Sequence, residues 1–138
     1  MTITADELIE TFALFDDWEE RYRYLIDLGA RLPPMDEVLK TPASKVQGCM
    51  SQVWMVTHWD ADGRLQILAD SDAQIVRGLI AVVCAVFSGK TRDEVAATDI
   101  KSAFSQLGLD QHLSPNRRNG FFAMVERVQR EAKAHLPT

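Results

Sequence analysis

The stretch from Ser71 to Ser88 constrains the fold more than any other part of the chain. Ser71 and Gln74 have the spacing of a helix cap and predict a helix from about Asp72 to Ser88. Its longest apolar run, Leu79 to Phe87, is shorter than the roughly 20 residues that span a bilayer, so we expect no membrane segment. The apolar residues cover almost the whole circumference of this helix, which predicts a buried central helix: Ile75, Val76, Leu79, Ile80, Val82, Val83, Cys84, Val86 and Phe87.

Two amphipathic helices are predicted before this one. Thr4 and Glu7 form a capping-box pattern that opens a helix over about residues 5–14. Asp16 and Glu19 repeat the pattern and open a second helix that ends near Gly29, before a pair of prolines. The apolar face of the second helix is formed by Trp18, Tyr22, Leu25 and Ile26.

A small antiparallel sheet is predicted between the second helix and the central one. The run from Gln52 to Trp59 is rich in β-branched and aromatic residues, and Asp62-Gly63 is a hairpin turn signal. A second strand follows over Leu65–Ala69. Because an isolated hairpin is marginally stable, we expect a third strand just before Gly48, with helices covering one face.

The C-terminal part of the chain predicts further helices. Thr91 and Glu94 cap a short helix, and another covers about residues 99–107. Ser114-Pro115 predicts the start of a last helix that runs to about Ala134, with an irregularity around Gly120. A chain of 138 residues without linkers or repeats predicts one domain over residues 1–138, of the α+β class.

The two cysteines occupy very different sequence contexts. Cys49 follows Gly48 on a short turn between a Pro42-containing segment and the first strand, so its thiol is either displayed on the turn or packed beside the neighbouring Val and Trp side chains. Cys84 lies inside the central helix, where desolvation raises a thiol pKa, so we expect it to be structural. Two unpaired cysteines and no signal peptide predict reduced thiols in the cytoplasm.

Several classes of function are disfavoured by the composition. A formal net charge of −5 makes nucleic acid an unexpected partner, because phosphate binding needs clustered Lys and Arg. Two separated cysteines, three scattered histidines and no Cys-x-x-Cys motif are too few ligands for a metal site. We therefore expect neither a metal nor another cofactor.

A cysteine hydrolase would need a histidine beside the thiol and a third group to orient it. His58 lies six residues beyond Gln52, about 20 Å along an extended strand, and His112 could approach only through tertiary folding. His135 lies close to the C-terminus. This alternative is the weakest of those considered.

The sequence around Cys49 resembles the active-site segment of the SufE family, the sulfur acceptors of cysteine desulfurases in iron–sulfur cluster assembly. The resemblance rests on the string Val46-Gln47-Gly48-Cys49-Met50-Ser51-Gln52-Val53-Trp54. Three further stretches match in the same order, so the resemblance spans nearly the whole chain: Asp17 to Tyr22, Asp70 to Val82 and Gln111 to Gly120.

The resemblance implies a fold like that of SufE and of IscU-type scaffolds, and a persulfide carrier without independent turnover. Cys49 would accept sulfur from a SufS-like or CsdA-like desulfurase, stimulate that enzyme, and deliver sulfur to a SufB-like cluster scaffold. Arg117 would lie near the site, where its guanidinium either favours the thiolate or pairs with an acidic surface residue. We further expect Cys49 to rest in an apolar pocket near the sheet and the central helix, with Gly48 as the hinge of the loop. The alternative is a module that docks on a desulfurase and regulates it without carrying sulfur.

Overall fold

The computed structural model describes residues 4–48 and 51–134. The described residues form an α+β fold in which helices pack on a small antiparallel sheet, which confirms the predicted class. In chain order the elements are α1 (Ala5–Ala13), α2 (Trp18–Ala30), a 3-10 turn (Glu37–Leu39), β1 (Val53–Trp59), β2 (Leu65–Ser71), α3 (Gln74–Phe87), α4 (Arg92–Ala97), α5 (Ile100–Gln106), α6 (Leu109–His112) and α7 (Pro115–Ala134).

The N-terminal caps of α1 and α2 follow the sequence pattern, with one correction at α2. Thr4 Oγ1 accepts a hydrogen bond from the backbone N–H of Glu7 at 3.2 Å, as predicted. The cap of α2 is Asp17 and not Asp16, because the Asp17 carboxylate accepts from the N–H of Glu20 at 2.9 Å. Each cap satisfies a backbone donor that has no partner within its helix.

The sheet has two strands in the described part of the chain, so the expectation of about three was wrong. β1 and β2 pair in antiparallel register from Val53 opposite Ser71 to Trp59 opposite Leu65. The residues before Gly48 do lie against β1, but only through an isolated bridge between Lys45 and Trp54. The pairing stays this short because the chain enters a turn directly after it.

The central helix α3 is buried as predicted, but it begins later. Ser71 does not cap it, because Ser71 is the last residue of β2 and its hydroxyl accepts from the N–H of Ala73. The helix packs against α1, α2, β2 and α7, and residues Leu79 to Val83 are almost completely shielded from solvent. The hydrophobic effect of this burial is the main contribution to the stability of the fold.

Two glycines allow α2 and α3 to pack backbone against backbone. A Cβ atom on Gly78 would lie 2.5 Å from the carbonyl oxygen of Leu25, and one on Gly29 would lie 2.6 Å from the backbone nitrogen of Gly78. Real Cβ atoms do not approach backbone atoms so closely, so this crossing requires glycine on both helices.

The last helix α7 is continuous from Pro115 to Ala134, and the irregularity expected around Gly120 is not observed. Its buried side is formed by Phe121, Met124, Val125, Val128 and Ala132. Within the described residues, no helix combines the length and the apolar character that crossing a membrane requires.

Candidate functional site

The loop that contains position 49 in the sequence is closed at its base by backbone pairing. The N–H of Val46 donates to the carbonyl of Val53 at 2.8 Å, and the N–H of Met55 donates to the carbonyl of Ser44 at 2.8 Å. Gly48 has a φ of +90°, which L side chains rarely adopt. The sequence-predicted site residue Cys49 itself lies outside the described residues, so the site is defined by what surrounds the loop.

Asp72 anchors the outgoing end of this loop. Its carboxylate accepts from the N–H of Gln52 at 3.1 Å, and its own N–H donates to the Gln52 carbonyl at 3.3 Å. The sequence placed Asp72 at the start of the central helix, but the helix begins only at Gln74. The Asp72 carboxylate therefore binds the backbone of the loop and does not cap the N-terminus of a helix.

The segment that leads into the loop is fixed by an ion-pair network. Asp70 lies 3.1 Å from the amino group of Lys40 and 3.2 Å from Nε of Arg77. Hydrogen bonds to the Glu37 and Asp70 carboxylates raise the pKa of Lys40 above its ordinary value. Through Lys40, the network ties the segment before the loop to β2 and α3.

A cavity of about 310 Å³ lies between α3 and α7 and is bordered by Ser51, the first described residue after position 49. The apolar lining comes from Val76, Leu79, Phe121 and Met124, and the polar lining from Ser51, Ser114, Asn116 and Arg117. A cavity of this size, lined in part by apolar side chains, can accommodate a side chain of moderate volume.

Arg117 lines this cavity from the first turn of α7. Its backbone N–H donates to the hydroxyl of Ser114 at 3.3 Å, which forms the cap of the helix. In residues 4–48 and 51–134 its exposed guanidinium has no carboxylate within ion-pair distance. Asn116 and Arg117 both line the cavity from the first turn of α7, so the positive end of the helix dipole borders it.

Sequence reasoning missed Arg127, which binds the loop base from α7. Its guanidinium donates to the backbone carbonyls of Ala43, Ser44 and Lys45 at distances of 2.9 to 3.2 Å. The pair Arg127 and Glu131 is visible in the sequence as an i, i+4 ion pair, with a separation of 3.4 Å. Nothing in the sequence signals the contact with a segment more than 80 residues away.

The histidines in the described part of the chain, His58 and His112, contact residues that do not belong to the loop. His58 lies on β1 opposite Gln66, and the ring of His112 stacks on that of Trp18 at 4.0 Å. His135 is outside the described residues. In the described chain, no group of three or more His, Cys, Asp or Glu side chains is arranged to hold a metal ion.

Cys84 lies on α3, where it is partly buried and packs against the core. Burial raises the pKa of the Cys84 thiol to about 11, and a hydrogen bond with Ser88 offsets part of that rise. A thiol with this pKa is almost entirely protonated near neutral pH, so it is a poor nucleophile.

Comparison with known proteins gives a consistent result. The model of the SufE family, described as an Fe-S metabolism associated domain, matches residues 6–132. The chain is 49% identical over 137 residues to an uncharacterized SufE-like protein of Rhizobium meliloti (strain 1021), with 97% of this chain and 98% of the relative covered. A SufE-like protein of Rhizobium etli is 50% identical over 133 residues, which cover 94% of this chain and 90% of the relative.

A solved structure is similar at the level of the fold. It is the solution structure of a hypothetical protein from Thermus thermophilus, with a TM-score of 0.77 and 18% sequence identity. The similarity covers 97% of each chain.

Proposed function

Because the chain belongs to the SufE family, the sulfur-transfer partners of cysteine desulfurases, we propose that it carries sulfur as a persulfide on Cys49. Residues 1–138 would act as one sulfur-acceptor domain in the cytoplasm. The observation that supports this proposal is the loop between Val46 and Val53, which is closed at its base and bordered by an apolar cavity. Such a loop can display a thiol while the rest of the fold stays fixed.

The proposed step is a thiol exchange with one additional sulfur atom. The Cys49 thiolate attacks the terminal sulfur of the desulfurase persulfide, and the S–S bond within that persulfide breaks. The products are Cys49–S–SH and a thiolate on the desulfurase, so that no external oxidant or reductant is required. Because a bond of the same kind is broken and formed, the task of the protein is positioning and protection.

Arg117 supports the thiolate in this proposal. An exposed guanidinium that borders the cavity, together with the positive end of α7, favours a nearby anion and so lowers the pKa of a thiol. The cavity between α3 and α7 would shelter the thiol or persulfide from oxidation between transfers, with Gly48 as the hinge. Release of the sulfur to a SufB-like cluster scaffold completes the proposed sequence.

Mass spectrometry of the full chain tests the proposal. After incubation with the cognate desulfurase and cysteine, the wild type and Cys84→Ser are expected to gain one sulfur atom, and Cys49→Ser is expected to gain none. Stimulation of the desulfurase that survives in Cys49→Ser would instead favour a docking module that carries no sulfur. Sulfur on Cys49 that does not pass to the purified scaffold would contradict the delivery step alone.

A further inference from the structure

One guanidinium holds three consecutive backbone carbonyls at the base of the loop. Nη1 of Arg127 donates to the carbonyl of Ser44 at 3.2 Å and to that of Lys45 at 3.0 Å. Nη2 donates to the carbonyl of Ala43 at 2.9 Å. The Arg127 side chain thus ties helix α7 to the segment 43–45.

The same guanidinium is itself held in place. Its Nε lies 3.4 Å from a carboxylate oxygen of Glu131, and the other oxygen of Glu131 accepts a hydrogen bond from the hydroxyl of Thr57. The Arg127 side chain is only 19% exposed, and hydrogen bonds from a charged donor are stronger than those between neutral groups. The segment 43–45, helix α7 and strand β1 are therefore joined through one ion pair.

Arginine is the side chain that this arrangement requires. Backbone carbonyls only accept hydrogen bonds, and a guanidinium presents five donors in a rigid planar fork. An ammonium group carries its donors on a single atom, and an amide side chain has two donors and no charge. Neither of them reproduces three bonds to three successive carbonyls.

The segment 43–45 is the incoming limb of the loop that carries Cys49. Ser44 in this segment and Val46, which directly follows the segment, make the last backbone hydrogen bonds with β1 before the chain turns at Gly48. The hydroxyl of Ser44 donates to the carbonyl of Leu39 at 2.6 Å, which fixes the limb from its other side. A displacement of the segment 43–45 would therefore displace the start of the loop with it.

We propose that Arg127 is a positioning residue for sulfur transfer: it fixes the segment 43–45 so that the loop presents Cys49 to the desulfurase in one geometry. The inference rests on the proposed function. Transfer requires two sulfur atoms to approach in line, and a misplacement of about 1 Å can slow such a step by about 100-fold. Loss of Arg127 should therefore slow transfer at saturating desulfurase more than it weakens docking.

The test compares full-length wild type, Arg127→Gln, Arg127→Lys and Arg130→Gln as a matched control. Arg130 is exposed on the same helix and has no side-chain hydrogen bond or ion pair within the described residues. With cognate desulfurase and cysteine, the rate at which Cys49 gains sulfur is measured by quenched-flow mass spectrometry against desulfurase concentration. Amide hydrogen exchange of residues 44–46 and the thermal unfolding midpoint are recorded for each protein.

We expect Arg127→Gln to lower the maximal rate about 10-fold, with the half-saturating concentration changed less than about 3-fold. Arg127→Lys should be intermediate, Arg130→Gln should match the wild type, and exchange at Val46 should be faster only in the Arg127 variants. If Arg127→Gln does not fold, the same readouts on Arg127→Lys decide the question.

The inference would be overturned if the Arg127 variants kept the wild-type maximal rate, with or without a change in the half-saturating desulfurase concentration. A wild type that gains no sulfur on Cys49 would refute the proposed function, and the role in transfer with it. Those two failures are distinguishable, because the second is read in the wild type alone.

Discussion

At the scale of single residues, the surroundings of a thiol decide whether it can react. Cys84 lies in α3, where burial raises its pKa to about 11. Thiol reactivity requires the thiolate, so a rise from 9.0 to about 11 suppresses nucleophilicity strongly at neutral pH. Cys84 can therefore serve as an unreactive reference thiol when the reactivity of Cys49 is measured in the same chain.

The raised pKa of Cys84 predicts a pH dependence of stability. The neutral thiol is favoured by folding, so its contribution is complete below pH 9.0 and is lost as the pH rises to about 11. We expect a loss of ~2 kcal/mol in the free energy of unfolding across this window. Urea unfolding of wild type and Cys84→Ala at several pH values measures it, because lysines and tyrosines titrate alike in both proteins. A constant difference between the two proteins from pH 9 to 11 would refute this.

Arg117 carries a second prediction at this scale. If its guanidinium favours the Cys49 thiolate, Arg117→Gln should raise the pKa of Cys49, and the effect should shrink at high salt because the Arg117 side chain is exposed. The pH dependence of Cys49 alkylation by iodoacetamide, read by mass spectrometry, gives this pKa. Arg130→Gln is the control, and an unchanged profile in Arg117→Gln would assign Arg117 a role outside thiolate stabilisation.

At the scale of elements, the crossing of α2 and α3 determines how the core closes. Leu25 and Leu28 of α2 are buried against the central helix, and the two backbones touch at Gly29 and Gly78. α3 in turn forms one wall of the cavity beside Ser51, whose opposite wall is α7. A displacement of α3 would therefore change both the core and the candidate site.

Gly78→Ala tests this crossing. The added Cβ would lie 2.5 Å from the Leu25 carbonyl oxygen, so the helices must separate, and we expect a loss of about 2–3 kcal/mol of unfolding free energy. Gly63→Ala is the comparator, because nothing lies within 4 Å of its Cβ and only the φ of +75° is unfavourable, at about 1 kcal/mol. Equal losses in the two variants, measured by urea unfolding, would argue against close helix contact at Gly78.

At the scale of the whole molecule, helices from both ends of the chain share one core with the sheet. The buried cluster includes Leu8 and Phe12 of α1, Val53 and Met55 of β1, and Phe121 of α7. Because each element buries its apolar face against the others, none is expected to remain folded alone.

The shared core predicts a single cooperative unfolding transition. Trp18 lies on α2, and Trp54 and Trp59 lie on β1, so the tryptophans report on two separate elements. In variants that retain one tryptophan, with phenylalanine at the other two positions, we expect the fluorescence midpoint in urea to coincide with that of far-UV circular dichroism. Separate midpoints for the Trp18 and Trp59 reporters would instead indicate two folding units.

The elements themselves could be predicted from the sequence because their signals are local. The cap at Thr4, the box at Thr91 and Glu94, and the proline at position 115 each act within a few residues, and the corresponding helices are present. The β-branched and aromatic residues of β1 and the turn at Asp62-Gly63 predicted the hairpin. Besides the third strand and the irregularity at Gly120, the errors lay at boundaries such as Ser71, where a strand ends so close to the helix that its last residue cannot serve as the cap.

The sequence by itself determined the buried central helix and the candidate position of Cys49, because apolar content and local motifs are properties of neighbouring residues. Only the tertiary structure decided what surrounds that position: Asp72 at Gln52, Arg127 at the carbonyls of 43–45, and the cavity between α3 and α7. These contacts join segments that are 20 to more than 80 residues apart. Their strength depends on distance and direction in space, which no local pattern along the chain encodes.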